Sequence, residues 1–194
     1  MPKLFFIRHA KPAASWGEDP DPGLDATGAD QARATAEVMM QRAASLPILT
    51  SPLRRCRETS QPLEAAWSSA AVLFPAVAEI PAPPLSLAER HQWLTAAMAG
   101  TWRGLQDSAP PNSPDFLTWR ADMLAAVLRI PEDAVIFSHF IAINAIVGAA
   151  LGSDDVVCFR PDHASITVVA TDGGSISLVE RGREAVTSVL TRGR

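Results

Sequence analysis

Three short apolar runs constrain this chain more than any other feature: KLFFI at 3–7, LPILT at 46–50 and AVIF at 134–137. Each is the length of a strand, and none alternates with polar residues. Continuous runs of this kind are expected of strands buried on both faces of a parallel sheet. Helical stretches lie between them: an Ala-rich segment at 29–44, another from 51 to about 67, and further ones at 87–100, 114–128 and 141–151. Thr27 is the expected N-cap of the first, and Ser51 of the second with Pro52 at its first position. Gly152 is the expected stop of the last. The segment 72–80 reads as weakly extended, and the prolines of EIPAPPLS exclude helix there. Segments 166–170 and 175–179, joined by TDGG, read as an antiparallel edge hairpin. Alternation of strand and helix predicts a three-layer α/β/α fold, with a mostly parallel central sheet and helices on both faces.

With 194 residues the chain suits one domain, residues 1–194, in which the helical stretch at about 86–129 is too long for a simple crossover and reads as a cap insertion. The apolar share of 47% supports a real core. Cys56 and Cys158 are too few for a disulfide framework and read as reduced, structural thiols. Only four consecutive apolar residues precede Arg8, so no secretory leader is expected. The longest apolar stretch, 140–151, is about half a membrane span. A soluble, cytoplasmic protein without membrane contact is the expectation.

The formal net charge is −4. That argues against a broad nucleic-acid face. The 17 basic residues include only two lysines, Lys3 and Lys11, and thus 15 arginines. Arginine is the better residue for bidentate recognition of phosphate, so where the arginines fall matters. In open α/β sheets, ligands bind beyond the carboxyl ends of the strands. Here the first strand ends in Arg8-His9. The second ends in Thr50-Ser51, with Arg54 and Arg55 on the next helix. The third ends in Ser138-His139. Three strand ends deliver Arg or His to one rim.

RHAKP at 8–12, SPLRRCRET at 51–59, FSHF at 137–140 and LDATGADQA at 24–32 resemble, in order, the signature stretches of the histidine phosphatase superfamily, the phosphoglycerate-mutase-like phosphatases. The resemblance spans most of the chain, although 86–129 matches nothing specific. It implies a metal-independent, cofactor-free phosphomonoester hydrolase acting through a phosphohistidine on His9. Arg8 and Arg55 would bind phosphate, His139 would be the second phosphate-contacting His, and Glu79 of AEIP would be the proton donor. Arg54 falls on a variable position and faces solvent or pairs with an acid. The family's usual Gly after each His is replaced, by Ala10 and by the bulky Phe140, which could narrow the pocket. His163 stands where relatives often carry Asn, near the phosphate or on a surface turn.

The chemistry asks for the same residue types. Phosphoryl transfer spreads charge over equatorial oxygens, which Arg8, Arg55 and His139 can stabilise. His9 must attack through a neutral ring nitrogen, so a partner should fix its tautomer at the other, a strand-end carbonyl being the expected one. A carboxylic acid can protonate the leaving alkoxide at neutral pH if apolar surroundings raise its pKa, and Glu79 has no charged neighbour in FPAVAEIPAPP. Trp16 could contact the organic part of the substrate or pack on the domain. Glu18, Asp19 and Asp21 resemble a metal site in composition alone and read as a solvated loop. In the insertion, Glu89, Arg90, His91, Trp93, Trp102, Arg103 and Trp119 could line a substrate pocket or pack as cap residues. A small phosphorylated metabolite is the expected substrate. A phosphoglycerate-type mutase and a non-catalytic module binding a phosphorylated ligand are the alternatives. Oligomeric state and the individual substrate are not written in the sequence.

Overall fold

The computed structural model describes residues 1–14 and 18–185. The strands are β1 (Lys3–Arg8), β2 (Ile48–Thr50), β3 (Val72–Leu73), β4 (Ala134–Ser138), β5 (Ile166–Thr171) and β6 (Ile176–Glu180). The helices are α1 (Ala26–Arg42), α2 (Arg54–Trp67), α3 (Leu87–Met98), α4 (Trp102–Asp107), α5 (Phe116–Leu128) and α6 (Phe140–Leu151). The six strands form one sheet in the order β3-β2-β4-β1-β5-β6. The first four are parallel, and β5 and β6 run antiparallel at one edge. This is the α/β architecture expected from the strand–helix alternation.

Side chains alternate across the sheet, as a pleated backbone requires. Leu4, Phe6, Ala134 and Ile136 join one apolar cluster with residues of α4, α5 and α6. Ile7, Val135 and Phe137 join a second with Ala36 and Met39 of α1 and Cys56 and Leu63 of α2. Both faces are covered, which is why these strands read as unbroken apolar runs.

Several boundaries differ from those expected. Asp25, not Thr27, caps α1: its side chain accepts the Gly28 N–H at 2.7 Å and pairs with Lys11 at 2.8 Å. Ser51 does not cap α2, which begins at Arg54 with Leu53 in the cap position and no side-chain cap bond. The Ser51 hydroxyl is engaged instead by His139 and by the Leu53 N–H. The extended reading of 72–80 holds only for β3, because Pro75 starts a 3-10 turn over Pro75–Val77. Gly152 does end α6, in the left-handed region at φ 67°.

Register sets the functional rim. Arg8 lies opposite Ser138, and Thr50 opposite Phe137. The ladder continues one residue further: the His9 N–H donates to the Ser138 carbonyl and the Ser51 N–H to that of Phe137, both at 2.9 Å. His9, Ser51 and His139 therefore leave three adjacent strands at one level.

Candidate active site

A cavity of about 300 Å3 opens at this rim. Its polar lining is Arg8, His9, Arg55, Glu79, Arg160 and His163. Pro12, Ala14, Pro22, Leu94, Met98, Phe140 and Ile141 supply an apolar wall.

His9 is buried, and its Nδ1 lies 2.8 Å from the Ala10 carbonyl oxygen. A carbonyl only accepts, so Nδ1 carries the hydrogen and Nε2 keeps its lone pair. The Ala10 N–H donates to Thr59 Oγ1 at 3.0 Å, and that hydroxyl donates to the Arg55 carbonyl at 2.6 Å. The loop bearing the nucleophile candidate is thereby tied to α2. Burial pushes the His9 pKa well below its ordinary value, helped by competition with His139 for a proton and by the nearby charges of Arg8 and Arg55, and opposed by the Ala10 bond.

Arg8 Nη1 donates to the Pro161 carbonyl at 2.9 Å, and Nη2 donates to His163 Nε2 at 3.0 Å. Arginine has no acceptor, so His163 carries its own hydrogen on Nδ1. The guanidinium carbon of Arg8 sits 5.1 Å from the centre of the Phe140 ring, a cation–π contact. Burial brings the Arg8 pKa down to about 10; Glu79 and Asp162 oppose the fall and Arg55 adds to it. Arg55 is 3% exposed, and its Nη1 has no hydrogen-bond partner, with Asp21 Oδ1 3.8 Å away. Arg8 Nε is likewise buried and unpartnered. Two guanidinium groups on one cavity thus carry buried donor nitrogens without a partner, an arrangement that suits an anion.

The Glu79 carboxylate accepts the Ile80 N–H at 3.0 Å and, at 3.2 and 3.4 Å, the Ile141 N–H in the first turn of α6. Burial raises its pKa above the ordinary carboxylate value, against the pull of those N–H groups, Arg55 and Arg8. His139 is fully buried and does not border the cavity. Its ring centre lies 5.3 Å from that of His9, and its Nε2 lies 2.7 Å from Ser51 Oγ and 3.3 Å from Cys56 Sγ. The two rings are tilted at 57° to each other. His163 lines the cavity with its ring centre 5.7 Å from that of His9, and burial together with Arg8 takes its pKa down to about 4.

The remaining sequence candidates separate cleanly. Trp16 lies outside the described residues. Arg54 is exposed and paired with Glu58 at 2.6 Å. Asp19 and Asp21 serve loop hydrogen bonds, and among the described residues no group of three or more His, Cys, Asp or Glu is placed to hold a metal ion. In the 86–129 stretch, Glu89 forms a capping box with Ser86, Trp93 stacks on Phe116, and Trp102 packs against Trp119. Neither these residues nor Arg90, His91 and Arg103 border the cavity; Leu94 and Met98 of α3 do. Phe140 is part of the cavity wall.

Sequence reasoning passed over three contributors. Arg160 has no motif around it, and its nearness in the chain to His163 was the available signal. Ser51 has the sequence context of a helix cap, yet its hydroxyl meets His139. Cys56 is a free thiol, as expected, but it touches His139 and accounts for part of that ring's setting.

The profile of the histidine phosphatase superfamily (branch 1) matches residues 4–183. A search of curated proteins finds no match. Among solved structures, the mycobacterial glucosyl-3-phosphoglycerate phosphatase has the same fold at a TM-score of 0.72 and 22% identity, covering 95% of this chain and 100% of that one. The α-ribazole phosphatase of Shigella flexneri superposes at 0.72 with 18% identity, covering 95% and 98%. YhfR of Bacillus stearothermophilus superposes at 0.73 with 15% identity, covering 95% and 98%. The superfamily match extends from β1 through the end of the sheet and takes in the whole rim, so this chain belongs to the histidine phosphatase superfamily, branch 1.

Proposed function

We propose that this histidine phosphatase hydrolyses small phosphomonoesters through a phosphohistidine on His9. The observation that carries this reading is the His9 ring: Nδ1 is committed to the Ala10 carbonyl, and Nε2 is left with its lone pair beside Arg8 and Arg55. In the first step Nε2 attacks phosphorus, the bond to the ester oxygen breaks, and protonated Glu79 gives its proton to that oxygen. In the second step Glu79, now a carboxylate, takes a proton from water as the water oxygen attacks phosphorus. The phosphorus–nitrogen bond breaks, its electron pair returns to Nε2, and inorganic phosphate leaves. Arg8 and Arg55 hold the equatorial oxygens throughout. His139, buried beside His9, is the second histidine of this machinery.

A cavity of about 300 Å3 walled by Leu94 and Met98 supports a small molecule over a phosphorylated protein segment. The substrates named for two structural neighbours, glucosyl-3-phosphoglycerate and α-ribazole phosphate, support the same class. On this reading residues 1–194 form one domain, and α3 within the 86–129 insertion acts as the cap over the leaving group. Two free thiols support a reducing compartment such as the cytoplasm. The test is phosphate release from 4-nitrophenyl phosphate at mildly acidic pH. His9→Ala is expected to abolish it, and retained turnover in that variant overturns the proposal.

A further inference from the structure

We infer that Arg160 selects substrates by binding a second anionic group, a carboxylate or a further phosphoryl, on the leaving-group side of the phosphomonoester. The inference rests on the phosphomonoesterase reading of the cavity and names the substrate class it serves.

Charge matching points to it first. A phosphomonoester dianion is balanced by Arg8 and Arg55. The three histidines of the site are held in their neutral forms, chiefly by burial, so they add no lasting charge. Arg160 is a third guanidinium on the same cavity. A substrate with only one phosphoryl group leaves it without a counter-charge.

Position points the same way. The loop 160–163 clamps the phosphate-site arginine, since Pro161 supplies the carbonyl for Arg8 Nη1 and His163 supplies Nε2 for Arg8 Nη2. Arg160 is the residue next to that anchor. Its backbone is fixed on both sides: its N–H donates to a Glu184 carboxylate oxygen at 3.1 Å, and its carbonyl accepts the Ala185 N–H at 2.9 Å. Its side chain is exposed, and among the described residues the guanidinium has no hydrogen-bond or ion-pair partner. The neighbouring acids are otherwise occupied, Asp162 with Arg183 at 3.1 Å and Glu184 with Arg181 at 3.8 Å. Leu94, Met98, Phe140 and Ile141 give part of the cavity an apolar wall. Such a wall offers no hydrogen bonds to a neutral polar leaving group. An anionic group on the leaving part instead finds a partner in the unpaired guanidinium of Arg160 on the same cavity.

The experiment compares kcat/KM for phenyl phosphate, for 3- and 4-carboxyphenyl phosphate and for 1,4-phenylene bisphosphate, in the wild-type protein, Arg160→Gln and Arg160→Lys. The readout is the ratio of each anionic substrate to phenyl phosphate within one variant, so a general loss of turnover cancels. An ion pair to an exposed guanidinium gives an expected wild-type preference of about fivefold for at least one doubly anionic substrate. Arg160→Gln is expected to bring that ratio to about one and Arg160→Lys to keep part of it. The carboxylate and bisphosphate arms tell the two anions apart. Equal rates for all substrates in the wild type, or a preference that survives Arg160→Gln, overturns the inference while leaving the phosphatase reading intact. Absence of hydrolysis of every ester in the wild type overturns the phosphatase reading itself.

Discussion

The Nδ1 of His9 lies 2.8 Å from the carbonyl oxygen of Ala10, the next residue in the chain. This contact places the hydrogen on Nδ1 and leaves Nε2 with its lone pair. Nitrogen-15 correlation spectra of the histidines are expected to show His9 as the Nδ1–H tautomer, still neutral well below pH 6.5, the ordinary value from which burial depresses it. A His9 that titrates near that value contradicts the geometry.

Glu79 lines the same cavity as His9. Glu79→Gln keeps the shape and removes the proton, so kcat is expected to fall about 10²- to 10⁴-fold with an alkyl phosphate. The loss of phosphoenzyme formation should be much smaller with 4-nitrophenyl phosphate, whose leaving group needs little help. Equal losses of phosphoenzyme formation with both esters would mean that Glu79 does not protonate the leaving oxygen. Because burial raises its pKa, wild-type activity on alkyl esters should decline as the pH rises through that raised value.

Arg55 presents an unpartnered Nη1 within the buried wall, with Asp21 Oδ1 3.8 Å away. Arg55→Met is expected to cost at least about 10²-fold in kcat/KM. It should also abolish the rise in Tm that phosphate or vanadate produces in the wild type. An anion-dependent Tm shift of undiminished size in the variant would place the phosphoryl group elsewhere.

Stability should depend on pH through His139, which is fully buried. Its folded pKa lies well below the ordinary 6.5, from burial first and then from Arg55 and Arg8. The folded state thus binds fewer protons than the unfolded one below pH 6.5, and stability falls as the pH falls through that window. Glu79 has the opposite sign: its raised pKa contributes most at low pH, and the contribution is lost as the pH rises. His139→Gln is expected to flatten the curve of unfolding free energy between about pH 6.5 and 5, by up to about 1.4 kcal/mol per pH unit. Urea titrations at a series of pH values measure this, and an unchanged slope contradicts it.

Phe140 stands where a smaller residue would leave room, and its ring packs 5.1 Å from Arg8 Cζ. Phe140→Ala is expected to reduce kcat/KM for phenyl phosphate about fivefold, through the lost cation–π contact. The ratio of 1-naphthyl to phenyl phosphate should rise as the wall recedes. A falling ratio would show that Phe140 does not bound the leaving-group space.

Much of the rim was legible because strand runs buried on both faces end abruptly in polar residues. Arg8, His9, Ser51, Ser138 and His139 follow such ends, and the register of β1, β2 and β4 brings them to one level. Glu79 was legible only through family resemblance, since a 3-10 turn and not a strand delivers it. Helix starts were less legible. Asp25 outcompetes Thr27 because Lys11 also holds it in place, and that partner is distant in the chain. Ser51 has the composition of a cap, but a tertiary contact with His139 takes its hydroxyl. Arg160 was invisible for a related reason: what distinguishes it is the lack of a partner on a cavity wall, which local pattern does not encode. The tryptophans of the insertion pack against other aromatic rings, as amphipathic helices commonly do, while Leu94 and Met98 face the cavity.

The central claim is that phosphorus becomes bonded to His9 Nε2 during turnover. Rapid acid-free quenching after mixing with phosphorus-32-labelled phosphomonoester, followed by mass-spectrometric mapping, tests it most directly. Acid-labile, alkali-stable label is expected on the peptide containing His9, and it should accumulate further in Glu79→Gln when the ester has a good leaving group. Steady hydrolysis with no label on His9, or with label on another residue, contradicts the account.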